Sequence, residues 1–346
     1  MRRIVWRGWM AEYIIALDAM GGDNAPDAIV KGAIAALRKY GDVKILLAGP
    51  SQRLKPLIDS AEDVRARMEL IEADEVIGMD ESPMLAVRKK VNSSMVQAVL
   101  AVREHRAGAV VSAGSTGALL ACGMLRLGRI PGVERPALAS AFPGLKKPWL
   151  LIDLGANVDC QPKYLAQFGL MGSVYMHSVM GVADPQVGLA NIGVEAEKGN
   201  KTVREAYALM TAQKSYRFCG NCEARVAPMG EFDVVVADGF AGNIILKYTE
   251  GMAEAMMAML KESLMSSFAT KIGAALSKPA FRAFKRRLDY NAYGGAPLLG
   301  VEGAVVKAHG SSGEEAICNA VRQARTMLEG GVVERIREGL AGLESV

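Results

Sequence analysis

Residues 110–121 read VVSAGSTGALLA. The apolar run Ala109 to Ser112 suits a β-strand, the five residues Ala113 to Gly117 suit a tight turn, and an apolar helical stretch follows to about Leu127. Strand, small-residue turn and helix make half of a βαβ unit. The same pattern recurs along the chain. Ile14 to Asp18 runs into AMGGDNAP, and Val43 to Ala48 is closed by Gly49-Pro50. Trp149 to Leu154 runs into GAN, and Val187 to Ile192 into GVEAEKG. Phe232 to Ala237 runs into DGFAGN, with a long helix expected from about Asn243, and the tail from Gly313 is helical. Strands alternating with helices predict an α/β fold, Rossmann-like and layered α-β-α, on a mostly parallel sheet. In such sheets ligands bind outside the carboxyl ends of the strands. Those ends are where the glycine, asparagine and aspartate clusters fall.

Composition agrees. Of 346 residues, 51% are hydrophobic and 23% charged, which excludes a disordered or fibrous chain. The length suits two lobes or one large domain. We take residues 1–13 as an N-terminal extension and 14–346 as a single α/β domain, with a basic amphipathic helical segment protruding at about 260–290. A chain this long buries enough surface to need no disulfide or structural metal. Its 37 glycines, about 11 per cent against a usual ~7, imply many close backbone approaches. The net charge of +4 is too small to point to nucleic acid. Five irregularly spaced cysteines suit a reducing compartment, and Cys219-Gly220-Asn221-Cys222 lacks the second pair that zinc spacing requires. The opening MRRIVWRGWMAEY has no apolar signal-peptide core, and Met10 is an alternative start. Two charge-free stretches, 107–125 and 164–183, reach spanning length. Their glycines, hydroxyls, Gln167 and His177 favour strand-loop-helix and a buried helix instead.

Several motifs carry chemistry. In AGSTG, consecutive backbone N–H groups and the Ser115 and Thr116 hydroxyls suit an oxyanion, so Ser112, Gly114, Ser115, Thr116 and Gly117 are phosphate candidates. No lysine follows as in a Walker A loop, and no dinucleotide fingerprint occurs. In DAMGGD, Gly21 and Gly22 permit close approach to a ligand, with Asp18 beside them. DLGAN and DGFAGN each place a carboxylate and an amide at a strand end, which brings in Asn157, Asp238 and Asn243. Lys198, Lys247 and Arg88 to Lys90 are cation candidates. Of three histidines, His309 in HGSSG is the functional candidate, His105 reads as a surface residue and His177 as a core residue. There is no G-x-S-x-G elbow and no H-E-x-x-H, so an enzyme built on this chain has no obvious side-chain nucleophile.

Lys271 to Arg287 differs from the rest. It holds six basic residues and no acidic one, and Ile272, Leu276, Ala280, Phe284 and Leu288 recur at helical spacing. Pro279 splits it into two short helices with Ser277 as a cap, and Phe281 reads as exposed. Without those six the chain carries 35 basic against 37 acidic residues, so the basic excess is local. Such a stretch, with Lys278, Arg282, Lys285, Arg286 and Arg287, suits an acidic partner or an anionic membrane.

Six motifs in order, IALDAMGGDNAP, VVSAGSTGALLA, IDLGANVDC, GLANIGVEAEKG, VVVADGFAGNIILK and YGGAPLLGVEGAVVKAHGSS, resemble the bacterial phosphate acyltransferase family of phospholipid synthesis, the PlsX family. The resemblance runs from about Ile14 to the C-terminus. It implies a fold like the isocitrate/isopropylmalate dehydrogenases and phosphotransacetylases. It also implies transfer of a fatty acyl chain from acyl carrier protein to inorganic phosphate, with no cofactor. A membrane glycerol-3-phosphate acyltransferase then uses the acyl phosphate, and the enzyme is a homodimer bound peripherally to the membrane from the cytoplasm. The chain departs from the family in residues 1–13, at Cys222, and in AVRKKVNSS (86–94), which fits an Arg/Lys-Ser-Ser pattern only approximately.

The chemistry agrees with that resemblance, because phosphate is itself a nucleophile. The protein needs only to orient it and to stabilise the oxyanion. Ser112 to Gly117 are expected to cradle phosphate opposite Gly21 and Gly22. Asn157, Asn191, Asn243, Lys198 and His309 are candidates for oxyanion donation or for protonating the leaving thiolate. An NAD-dependent dehydrogenase of the related fold and a non-catalytic scaffold remain as alternatives.

Overall fold

The computed structural model describes residues 13–288 and 294–343, with the side chains of 285–288 and 342 left out. The expected extension and the Met10 start therefore fall outside the described residues, apart from Tyr13. In chain order the elements begin β1 (Tyr13–Asp18), α1 (Asp27–Lys39), β2 (Val43–Gly49), α2 (Ser51–Asp59), β3 (Met68–Glu72), α3 (Pro83–Lys89) and α4 (Ser94–Arg103). Next come β4 (Ala109–Ser112), α5 (Thr116–Cys122), β5 (Ala137–Phe142), β6 (Trp149–Ile152), α6 (Pro162–Ser178), β7 (Gln186–Asn191), α7 (Lys201–Ala212), β8 (Arg217–Glu223) and β9 (Val234–Val236). The chain ends with α8 (Gly239–Met265), α9 (Phe268–Leu276), α10 (Lys278–Leu288), β10 (Ala296–Leu299), β11 (Ala304–Lys307), α11 (Glu314–Glu329) and α12 (Val332–Leu343).

The chain forms two compact units, one of residues up to 138 with 174–183 and 294 onward, the other of 139–173 and 184–293. The first is built on strands in the order β3-β2-β1-β4-β11-β10, closed by Ala137 and Leu138 of β5. All neighbours from β3 to β11 are parallel, and β10 runs antiparallel. Ile15, Ala16, Leu17 and all of β4 are buried, as strands covered on both faces require. Burying one such Ile or Leu contributes about 1.5–3 kcal/mol, so the apolar strands secure the sheet and leave its polar ends free for function. Helix α1 buries Ile29, Val30, Ala33, Ile34 and Leu37 at helical spacing and packs against α11.

The second unit is ordered β5-β6-β9-β7-β8, antiparallel only between β5 and β6. Residues 162–173 of α6, within the second charge-free stretch from 164 on, fall in this unit, and Leu165, Phe168, Leu170 and Met171 there are buried. No helix among the described residues is long and apolar enough to cross a membrane.

The mostly parallel α/β architecture agrees with the sequence expectation, and the six predicted strands are present within two or three residues. Five further strands carry weaker signals. β3 (MELIE) and β8 (RFCGNCE) are outer strands with charged residues, as edges tend to have. β5 is alanine-rich, and β10 and β11 are four residues each between glycines. His177 is corrected: it is exposed, with Nδ1 3.1 Å from the Val182 carbonyl. Its helix is packed, but it sits at the open last turn.

Candidate active site

In the first unit, β1, β4 and β11 are adjacent parallel strands, and Lys307 pairs with Ser112. Paired residues point to the same face, so Asp18, Ser112 and Lys307 form one row at the carboxyl ends. Asp18 is 2% exposed. The Ser112 hydroxyl donates to its Oδ2 at 2.7 Å, and the Ser94 hydroxyl to its Oδ1 at 2.6 Å. The Met20 amide also donates to Oδ1, at 3.3 Å. Burial pushes the Asp18 carboxyl up, while the bonds from Ser112, Ser94 and Met20 and the charge of Lys307 act the other way.

Ser112 is a relay. Its proton goes to Asp18, and its oxygen accepts from the Gly114 amide at 3.0 Å. The start of the AGSTG turn is thereby tied to a buried carboxylate. Two glycines let the loop after β1 lie against it. A Cβ on Gly21 would meet Asp18 Oδ2 and stand 2.7 Å from the Gly114 nitrogen. Gly22 has φ +96°, and a Cβ there would stand 2.8 Å from the Gly310 carbonyl oxygen. The loop after β11 completes the group. The Ala308 amide donates to the Ser112 carbonyl at 2.9 Å, and the Asp23 amide to the Gly310 carbonyl at 2.8 Å. Ser115 caps α5, its Oγ accepting from the Ala118 amide at 3.4 Å. The Ser115, Thr116 and Gly117 amides have no acceptor among the described residues, and Thr116 is exposed. His309 is exposed too, with Nδ1 accepting from the Ser311 amide at 3.2 Å.

In the second unit, β6, β9 and β7 are parallel neighbours whose carboxyl ends lead to Asp153, Asp238 and Asn191. Asp153 is fully buried. Its Oδ1 accepts from the Leu154 amide at 2.8 Å, and its Oδ2 from the Asn157 amide at 2.7 Å and the Asn157 side chain at 3.1 Å. The Asn157 carbonyl accepts from the Gly239 amide at 2.8 Å, so the DLGAN loop is laced to the start of α8. Asp238 caps that helix, accepting from the Ala241 amide at 2.7 Å. Asn243 lies one turn on, exposed, with its amide against Gly155. Asn191 closes its own loop, accepting from the Ile192 amide at 2.8 Å and donating to the Lys198 carbonyl at 3.0 Å. The Lys198 side chain is exposed, with no partner among the described residues.

The structure thus gathers Asp18, Gly21, Gly22, Ser112, Gly114, Ser115, Thr116, Gly117 and the loop of His309 in the first unit. It gathers Asn157, Asp238 and Asn243 around Asp153, and Asn191 beside Lys198, in the second. Two participants lie outside the sequence-derived candidates, Ser94 and Lys307, while Asp153 is the carboxylate of the DLGAN motif. Only Lys307 has a local signal, a charge that ends the apolar run AVVK.

The basic segment forms two helices, α9 and α10, with a turn at Ser277. Ser267 and Thr270 make a reciprocal capping box on α9. Lys278 and Arg282 are exposed; the Lys285, Arg286 and Arg287 side chains lie outside the described residues. Phe281 is half-buried rather than exposed, and Phe268, Ile272, Leu276 and Phe284 carry the exposed apolar surface.

Known structures share this architecture. A phosphotransacetylase from Streptococcus pyogenes superposes with a TM-score of 0.60 over 92% of this chain and 94% of its own, at 17% identity. The EutD phosphotransacetylase from Staphylococcus aureus gives 0.57 over 91% and 94%, at 16% identity. The fold is therefore of the phosphotransacetylase type. The model of a family described as fatty acid synthesis protein matches residues 13–335. A phosphate acyltransferase from Clostridium botulinum (strain Loch Maree / Type A3) is 47% identical over 330 residues, 95% of this chain and 98% of its own. Another from Alkaliphilus oremlandii is 46% identical over 329 residues, again 95% and 98%. The chain belongs to this fatty acid synthesis family of phosphate acyltransferases, and it is an acyltransferase.

Proposed function

We propose that the protein transfers a fatty acyl group from acyl carrier protein to inorganic phosphate, giving an acyl phosphate for phospholipid synthesis. Residues 14–346 act as one catalytic domain. The carrying observation is the turn 113–117, whose three unfilled amides and exposed Thr116 hydroxyl stand at the carboxyl end of β4. A phosphate oxygen attacks the thioester carbonyl, the carbon–sulfur bond breaks, and the thiolate leaves with a proton. Of the candidate donors to the oxyanion or the thiolate, His309 belongs to the same unit as the turn 113–117, and Asn157, Asn191, Asn243 and Lys198 belong to the other. No protein nucleophile is needed, because positioning alone supplies much of the rate.

Carrier proteins of acidic character and anionic lipid both suit Lys278 and Arg282, and the apolar surface beside them suits peripheral attachment of a homodimer at a membrane. The decisive assay supplies acyl-carrier-protein thioester and phosphate and traps acyl phosphate with hydroxylamine. Thiol release that does not depend on phosphate would overturn the proposal. Lys278→Glu with Arg282→Glu should raise the carrier-protein KM or weaken vesicle binding; if neither changes, the segment has no docking role.

A further inference from the structure

Lys307 is a buried cation with an unfilled donor. Its side chain is 7% exposed, yet it ends a strand at the rim of the sheet. Its Nζ bonds two carbonyls, Ala308 and, at 3.4 Å, Ala113. An ammonium has three N–H donors, so one has no acceptor among the described residues. No carboxylate there pairs with it within ion-pair distance. The charges that act on it are those of Asp18, from β1, and Asp23, from the loop after β1. Burying a partly satisfied ammonium is costly, and an aliphatic residue would close β11 more cheaply. The cation stands beside Ala113, at the head of the turn whose Ser115, Thr116 and Gly117 amides are also unfilled. The charge of the neighbouring Asp18 is opposed by that of Lys307, and its oxygens already accept from Ser94, Ser112 and Met20.

We infer that Lys307 is a binding residue for the acceptor anion, its third ammonium N–H joining the Ser115–Gly117 amides in holding a phosphate-class oxyanion. The inference rests on the phosphate-acceptor reading and adds the cation that reading lacks. Burial moves the Lys307 ammonium down to about 8, against the pull of Asp18 and Asp23. Its charge is therefore present below that pH and lost above it.

The test is binding of inorganic phosphate to the full chain, read from the rise in Tm with phosphate concentration. Lys307→Met keeps the length and removes the donors. It should weaken phosphate about ten- to hundredfold, as loss of a charge-assisted bond implies. Wild-type affinity should fall between pH about 8.2 and 9.5, where phosphate is nearly all dianion, and the variant should be flat. A purely structural lysine lowers Tm in the variant but leaves the phosphate dependence unchanged, and that result overturns the inference. If Lys307→Met does not fold, the wild-type profile decides, and a flat one overturns it. Failure of the wild type to respond to phosphate overturns it as well. Phosphate binding that depends on Lys307 without acyl phosphate formation would sink the transfer reading and leave this one standing.

Discussion

Two aspartates close two strands, and each is buried under hydrogen-bond donors. Asp153 accepts from Leu154 and Asn157, one and four residues on. Asp18 accepts from Ser94 and Ser112, which stand 76 and 94 residues away. The first carboxylate shapes its own loop. Apart from the Met20 amide, the second has its partners only once β1 and β4 have paired and the start of α4 has docked. One is held by donors near in sequence, the other by donors far from it, and the charge of Lys307 acts on the second.

The largest expected effect follows from that difference. Asp18→Ala leaves two hydroxyls and an amide unpaired in a dry site and removes the charge opposing Lys307. Breaking such a group costs about 3–5 kcal/mol. Chemical unfolding of the full chain measures it, and a loss below about 1 kcal/mol would show that the cluster is wet. In the Asp18→Ala background, Ser94→Ala and Ser112→Ala should cost much less than alone, since their acceptor has gone.

Asp153→Ala comes next, at about 2–3 kcal/mol, because water reaches the Leu154 and Asn157 donors once the loop opens. If it costs more than Asp18→Ala, the distinction between near and distant donors fails. Gly242 sharpens the point. A Cβ there would run into the Asp153 carbonyl oxygen, so Gly242→Ala must push the start of α8 off the loop, at about 1–3 kcal/mol. Ser115→Ala has a smaller cost, about 1 kcal/mol for a lost cap. Its second readout is the phosphate KM. An unchanged KM in Ser115→Ala combined with Thr116→Ala would remove the cradle from the proposed function.

The same contrast explains what the sequence disclosed. DLGAN and DGFAGN show their own partners within four residues, and alternating strands and helices disclosed the sheet. Ser94 opens α4, and nothing local links it to Asp18. Strands β10 and β11 are too short to stand out, and β11 is what brings Lys307 to the rim. AGSTG was legible as a turn that opens a helix. The donation of its leading Ser112 hydroxyl to Asp18 was not, because hydrogen-bond direction depends on a partner 94 residues distant.

A third carboxylate separates the effect of donors from that of burial. Asp42 precedes β2 and accepts from Arg325 of α11, whose Nε lies 2.9 Å from Oδ1. It is far more open than Asp18 or Asp153, with a third of its side chain exposed. The Arg325 bond holds its carboxyl below the usual value of 3.8, with burial opposing. A carboxylate depressed on folding stabilises the chain above its unfolded pKa, and that stability is lost as pH falls through the lower folded value. Asp42→Asn should therefore lower Tm slightly at pH 7 and flatten its fall below pH about 4. An ion pair this open is worth at most ~1 kcal/mol. Asp63, Glu72 and Glu81 are depressed as well and stay in place in the variant, so the difference between the two curves isolates Asp42. If that difference matched the loss in Asp18→Ala, donors alone would set the strength of these sites. A difference several times smaller assigns the excess at Asp18 to its exclusion from water.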